Sequence, residues 1–269
     1  LVWRDRPDQH PSLTITAAPA LHDGHLYVAF SSLEVVAAAD PDYECCTFRG
    51  GVAAYDAKAG TKLWTGYTIA ESPVVVGQNS VGTDQLAPSG APVWGTPVID
   101  AKRQQLYVGT GESYSSPAGS TSDAILALSL KDGRIVWQMQ ATAGDAWNMS
   151  CETEGRINCP SEDGPDYDFG AATLLATTDD GKDILVAGQK SGAVYGIDPQ
   201  TGKQLWRNKL GRGGIQGGVH FGMSSDGHLV YVPMSDFYGG PRWPGKAYPG
   251  MFAVDLETGE KRWFTETPN

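Results

Sequence analysis

The chain has 269 residues, 41% of them hydrophobic and 19% charged, which is enough to bury a large core. No apolar run is long enough to cross a bilayer, and a net charge of −11 without Lys or Arg clusters argues against nucleic acid or an anionic membrane as partner. It opens on Leu1-Val2-Trp3-Arg4 with no signal peptide, as suits a piece of a longer chain as much as a cytoplasmic protein.

In chain order, strand signals fall on Gly24 to Phe30, Gln105 to Thr110, Asp183 to Ala187 and His228 to Val232. Each is followed by one recurring pattern. It reads AYDAKAGTKLW from Ala54 to Trp64, ALSLKDGRIVW from Ala127 to Trp137, GIDPQTGKQLW from Gly196 to Trp206 and AVDLETGEKRW from Ala253 to Trp263. Every copy predicts a β-hairpin: a strand, a tight turn at Asp (Ser129 in the second copy) and Gly, then a strand ending in Trp. The four tryptophans lie 73, 69 and 57 residues apart, one four-stranded antiparallel sheet plus variable loops per unit. Such units are propeller blades, so the fold class is all-β with about four blades of a longer ring. Trp3 reads as the end of a blade whose first part is missing, and residues 265–269 stop where another should begin. A piece of this kind is expected to be an incomplete arc or unstable on its own; a complete four-bladed propeller is the alternative.

Four cysteines are present. Cys45 and Cys46 are adjacent, and either bond each other or pair with Cys151 and Cys159. The latter two share one polar loop eight residues apart, which favours a bond between them and hence a vicinal Cys45–Cys46 bridge. No C-x-x-C spacing exists, so zinc and c-type haem attachment are disfavoured. An even cysteine count points to an oxidising compartment, periplasmic or extracellular.

The unusual residues lie in loops, where a rigid scaffold presents a site. Four segments stand out: Thr14 to Pro19 running on to Ser31-Ser32-Leu33-Glu34; Cys45-Cys46-Thr47-Phe48-Arg49-Gly50; Val93-Trp94-Gly95 running on to Gly109-Thr110-Gly111-Glu112; and Gly164-Pro165-Asp166-Tyr167-Asp168-Phe169-Gly170.

With these segments the chain resembles the pyrroloquinoline quinone (PQQ) dependent alcohol dehydrogenases, in particular their polyvinyl alcohol dehydrogenase branch. The Trp-ending repeat covers the whole chain, 1–269, which this resemblance makes a partial quinoprotein β-propeller domain. The repeat alone also fits non-catalytic propellers; the loop segments are the specific part. The resemblance implies a calcium ion and PQQ on the axis of an eight-bladed ring, with a Trp floor, here Trp94, and a vicinal disulfide ceiling, here Cys45 and Cys46. In relatives the paired cysteines precede the metal-binding Glu, whereas here they follow Glu34. Glu34 matches that Glu ligand. Glu112 falls where relatives carry Asn, so an anion replaces a neutral ligand and a lanthanide becomes an alternative to calcium.

The family's catalytic base is an aspartate, also beside the ion, and Asp168 matches it, with Asp166 next and Asp145 third. Lys190 matches the cation at the reactive carbonyl edge, and Thr16 and Ser31 match hydroxyls that bind the cofactor's carboxylates. The implied reaction is alcohol oxidation: Asp168 takes the hydroxyl proton and hydride passes to the quinone. Electrons then pass to cytochrome c, a separate protein or missing segment because no haem motif is present. Trp147, Phe237, Tyr238, Trp243 and Tyr248 are candidates to line a cleft for a polymeric substrate, with Gly239-Gly240-Pro241 shaping its loop. The rival readings are a non-catalytic protein-binding scaffold, an enzyme fold that has lost activity, and glycoside hydrolysis by Asp166 with Glu112.

Overall fold

Each repeated hairpin builds its turn from its own side chain. Asp56 Oδ1 accepts the Lys58 and Ala59 amides, Asp198 Oδ1 accepts Gln200, and Asp255 Oδ1 accepts Glu257 and Thr258. At the Ser position the hydroxyl substitutes: Ser129 Oγ accepts the Lys131 amide at 3.2 Å. The glycines that follow, Gly60, Gly133, Gly202 and Gly259, have φ of +73°, +71°, +73° and +71°, a region that penalises any Cβ.

Those glycines also serve the packing between blades. A Cβ on each would lie 2.3–2.5 Å from an indole ring, of Trp3, Trp64, Trp137 and Trp206 respectively. Each indole N–H then donates to a carbonyl of the same turn: Trp3 to Ala57, Trp64 to Leu130, Trp137 to Pro199 and Trp206 to Leu256, at 3.0–3.1 Å. Each turn is thus the seat of the preceding tryptophan.

The computed structural model describes residues 1–237 and 242–267, so Tyr238 and Gly239-Gly240-Pro241 lie outside the described residues. Four antiparallel sheets follow one another. The first comprises Leu13–Thr14, Ala20–His22, His25–Ser32, Gly51–Asp56 and Lys62–Tyr67. The second comprises Val98–Asp100, Gln105–Gly109, Ala124–Ser129 and Ile135–Gln140. The third runs through Leu174–Thr177, Asp183–Gly188, Ala193–Ile197 and Gln204–Lys209, and the fourth through Ser224–Ser225, Leu229–Met234, Gly250–Asp255 and Lys261–Glu266. The blades expected from the repeats are therefore present. Helix is confined, among the described residues, to Glu34–Ala37 and a 3-10 turn at Met149–Glu152.

Middle strands are apolar on both faces because a sheet packs on each side. Leu106 and Leu126 join Tyr27, Val52 and Trp64 between the first and second sheets. Their neighbours Tyr107 and Ile125 point the other way, to Leu185, Tyr195 and Trp137. Ile184 and Val186 meet Val230, Phe252 and Trp206 between the third and fourth. A separate hairpin, Val74–Gln78 with Asp84–Ala87, was not expected: Val74, Val75 and Val76 are all exposed, so no alternation marks it.

Both disulfides form, Cys45–Cys46 and Cys151–Cys159, leaving no free cysteine. No helix among the described residues is long and apolar enough to cross a membrane.

An ion-pair cluster ties the second sheet to the third: Asp183 Oδ2 lies 2.9 Å from Lys102 and 2.8 Å from Arg103. The Lys102 and Arg103 hydrogen bonds depress the Asp183 pKa from 3.8 to about 2. A depressed carboxylate contributes stability above its unfolded pKa and loses it as pH falls through the folded one. Asp183→Asn is therefore expected to lower the melting temperature at pH 7 and to flatten the acid limb between about pH 4 and pH 2; an unchanged acid limb refutes this role.

Candidate functional site

The site lies at the C-terminal ends of one inner strand from each of the first three sheets. Ser31 is the penultimate residue of His25–Ser32, Glu112 follows Gln105–Gly109 and Lys190 follows Asp183–Gly188. Backbone bonds stitch the loops together: Gly111 N to Pro92 O, Ser113 N to Asp145 O, Phe169 N to Thr110 O and Lys190 N to Asp168 O. They surround a cavity of about 240 Å³ lined by Thr14, Thr16, Ser31, Ser32, Leu33, Val35, Pro92, Trp94, Glu112, Tyr114, Trp147, Asp166, Asp168 and Lys190. A larger groove of about 450 Å³ lies between His220, Met234, Met251 and Thr265, but no buried carboxylate lines it.

Three carboxyl groups meet in this cavity. Oxygens of Glu112, Asp166 and Asp168 lie within 4.8 Å of one another, and the residues are 3%, 2% and 4% exposed. Asp166 has a left-handed φ of +59°, and both it and Asp168 bring a carboxyl to Lys190. Lys190 Nζ bonds Asp166 Oδ1 at 2.9 Å and Asp168 Oδ2 at 2.8 Å, while Asp168 Oδ1 accepts the Glu112 amide at 3.2 Å.

Fully ionised, the three buried carboxyls would outnumber the one ammonium and leave a surplus of negative charge. Burial, reinforced by Asp168 and Asp166, pushes the Glu112 pKa well above the carboxylate range. Burial likewise raises Asp166, although Lys190 opposes it. At Asp168 burial also favours the neutral acid, but Lys190 outweighs it and holds the group ionised. Lys190 itself would lose its proton by burial alone; Asp166 and Asp168 keep it charged. Hard oxygen donors with surplus charge fit a Ca²⁺-like or more highly charged cation.

The half-buried Trp94 forms one wall, with Lys190 Nζ 5.5 Å from its ring centre. On its far side sits Gly170, where a Cβ would come within 1.9 Å of the indole. His220 also packs against it, ring centres 5.4 Å apart. Thr16 is exposed at the rim and its hydroxyl donates to Trp94 O at 3.3 Å; Ser31 is buried.

Trp94, Thr16, Ser31, Glu112, Asp166, Asp168 and Lys190 are thus brought together as expected from sequence. Three other candidates lie outside this cavity lining. Glu34 is fully buried but lies outside the carboxyl cluster, its oxygens engaged by Tyr43, Thr47, Phe48 and His10. Cys45 and Cys46 do not line the cavity; they are buried with Phe30 and Phe48 behind Tyr114. Asp145 does not line it either, because its oxygens accept the Asp166 and Tyr167 amides and hold that segment in place. Burial raises the Asp145 pKa from 3.8 to about 6.

Of the aromatics assigned to a cleft, Trp147 lines the cavity, whereas Phe237 borders a separate groove with Gln216 and Phe221. The Trp243 N–H donates to Pro165 O, and Tyr248 packs edge-on against Phe264. Sequence reasoning missed Tyr114 and His220. It also missed Asp123, a buried carboxyl with no hydrogen-bond partner among the described residues. None of the three carries a local motif.

The PQQ_2 family model, described as outer membrane protein assembly factor BamB, matches residues 48–269. Polyvinylalcohol dehydrogenase of Sphingopyxis sp. (strain 113P3) is 37% identical over 272 residues, covering 100% of this chain and 41% of the relative. The crystal structure of quinohemoprotein alcohol dehydrogenase from Comamonas testosteroni matches with a TM-score of 0.64 at 20% identity, over 95% of this chain and 47% of that one. A europium-containing methanol dehydrogenase matches at 0.63 and 18% identity, over 94% and 54%. These structural likenesses show the propeller fold. The chain spans about 41% of the length of the curated relatives it matches.

Proposed function

This chain belongs to the PQQ β-propeller family, and we propose that its cavity holds PQQ and a metal ion and that the protein oxidises an alcohol. The observation that carries the reading is the buried cluster of Glu112, Asp166 and Asp168 beside Lys190 and Trp94. Two curated relatives at 37% identity are polyvinyl alcohol dehydrogenases, so secondary alcohols are the proposed substrate class. Electrons pass to cytochrome c, in a separate protein or in a segment outside this chain, and the two disulfides favour a periplasmic or secreted location.

Glu112, Asp166 and Asp168 would hold the ion, calcium or, because Glu112 is itself acidic, a lanthanide. When bound, the quinone supplies a hydride-accepting carbon and the ion polarises it. The Trp94 indole offers a flat apolar face to the planar ring system, and the Thr16 and Ser31 hydroxyls offer donors to its carboxylates. Lys190, kept charged by its aspartates, directs an N–H at oxygen that gains negative charge.

Asp168, which Lys190 holds ionised, is proposed as the base, with Asp166, whose acidity burial weakens, as the alternative.

Titration of the chain with PQQ and Ca²⁺ or Eu³⁺ is expected to give saturable, ion-dependent quenching of tryptophan fluorescence. Reduction of a dye acceptor by secondary alcohols should follow. The family model's description as an assembly factor makes a binding scaffold the second reading. A folded chain that binds neither quinone nor ion decides for the scaffold.

A further inference from the structure

Glu34 carries more hydrogen-bond donors on its carboxylate than Glu112 or Asp168, the other expected ion ligands. It opens the short helix Glu34–Ala37 and has no solvent exposure. Oε1 accepts the Tyr43 hydroxyl at 2.9 Å, the Thr47 amide at 2.8 Å and the Thr47 hydroxyl at 3.3 Å, with His10 Nε2 at 3.4 Å. Oε2 accepts the Phe48 amide at 2.7 Å. A carboxylate offers about four lone-pair directions, so these donors leave little capacity for an ion.

The two amides belong to the residues directly after Cys46. On the other side of the bridge, Cys46 N donates to Leu86 O and Leu86 N to Cys45 O. The vicinal disulfide therefore hangs between a carboxylate and a strand. Phe48, held by Glu34, stacks on Tyr114 with ring centres 6.2 Å apart, and Tyr114 lines the cavity.

We propose that Glu34 is a positioning residue, not an ion ligand: it clamps the Cys45-Cys46-Thr47-Phe48 segment and through Phe48 and Tyr114 sets one wall of the cavity. The cavity's identity as a cofactor site rests on the function proposed above, but the clamp does not.

The test compares Glu34→Gln and Glu34→Ala with wild type in two readouts. The first is the rate at which a water-soluble phosphine reduces each disulfide, resolved by peptide mass. The second is Tb³⁺ affinity followed by luminescence. Glu34→Ala is expected to accelerate Cys45–Cys46 reduction at least tenfold and Glu34→Gln less, because Gln keeps one acceptor oxygen. Cys151–Cys159 reduction should be unchanged, and Tb³⁺ affinity should stay within about threefold. Equal acceleration at both disulfides means general loosening and overturns the proposal. So does a large loss of Tb³⁺ affinity in Glu34→Gln with Cys45–Cys46 reduction unchanged. Should wild type bind no Tb³⁺, the cofactor reading falls, while the reduction rates still decide the clamp.

Discussion

Asp168→Asn is expected to abolish tight ion binding and to cut alcohol oxidation by about 10³-fold, while leaving the ion-free protein folded. The substitution removes the carboxylate that Lys190 keeps ionised, and charged oxygen is what a hard cation selects. Removing a charged ligand should exceed the roughly 10–100-fold loss typical of changes behind the ligands. The ion-free fold should tolerate the change, because with Asp168 neutralised the charge of Lys190 draws Asp166 into its ionised form. Asp166 still partners Lys190 at 2.9 Å. Calorimetric titration with Ca²⁺ and Tb³⁺, set beside thermal melts with and without ion, separates the two effects. Retention of wild-type affinity by Asp168→Asn would refute the carboxyl cluster as the ion site.

The second large effect concerns the flat wall. Trp94→Ala deletes an indole that Gly170 and His220 hold from one side and Lys190 faces. Losing the burial and stacking of an aromatic ring against a planar ligand costs about 3 kcal/mol, roughly 100-fold in PQQ affinity. Trp94→Phe should recover part of it. Gly170→Ala tests the same wall from behind, since a Cβ there collides with the indole at 1.9 Å; its quinone affinity should fall with ion affinity nearly unchanged. Fluorescence titration with PQQ at saturating ion measures all three. A Trp94→Ala variant that binds PQQ as tightly as wild type sinks the stacking role.

The blades were legible because each repeat is a local device. The Asp-to-Gly turn and the closing Trp lie within eleven residues, and the same glycine that permits the turn forms the seat for the preceding indole. The carboxyl cluster was legible only through resemblance, since Glu112 and Asp168 are 56 residues apart and meet by sheet packing. Their neighbour Asp166 was named by alignment, but the Lys190 ammonium that it shares with Asp168 is not displayed by a sequence. Glu34 shows the same limit in sharper form. Resemblance matched Glu34 to an ion ligand, yet the donors that claim its carboxylate come from Tyr43, Thr47 and Phe48, beyond an intervening helix. The exposed hairpin at Val74–Gln78 was hidden because no buried face imposes alternation on it.

The three carboxylates do not belong to one blade. Glu112 leaves the second sheet, whereas Asp166 and Asp168 lead into the third, whose Lys190 they also hold. An ion seated among them would rivet two units that are also joined by the Asp183 ion pairs, by one indole and its seat, Trp137 on Gly202, and by apolar packing. Binding and blade cohesion are then one equilibrium: ion at about a hundred times its dissociation constant would add about 2.7 kcal/mol against separation. Weakening the Trp137 joint, far from any ligand atom, would return as a lower ion affinity.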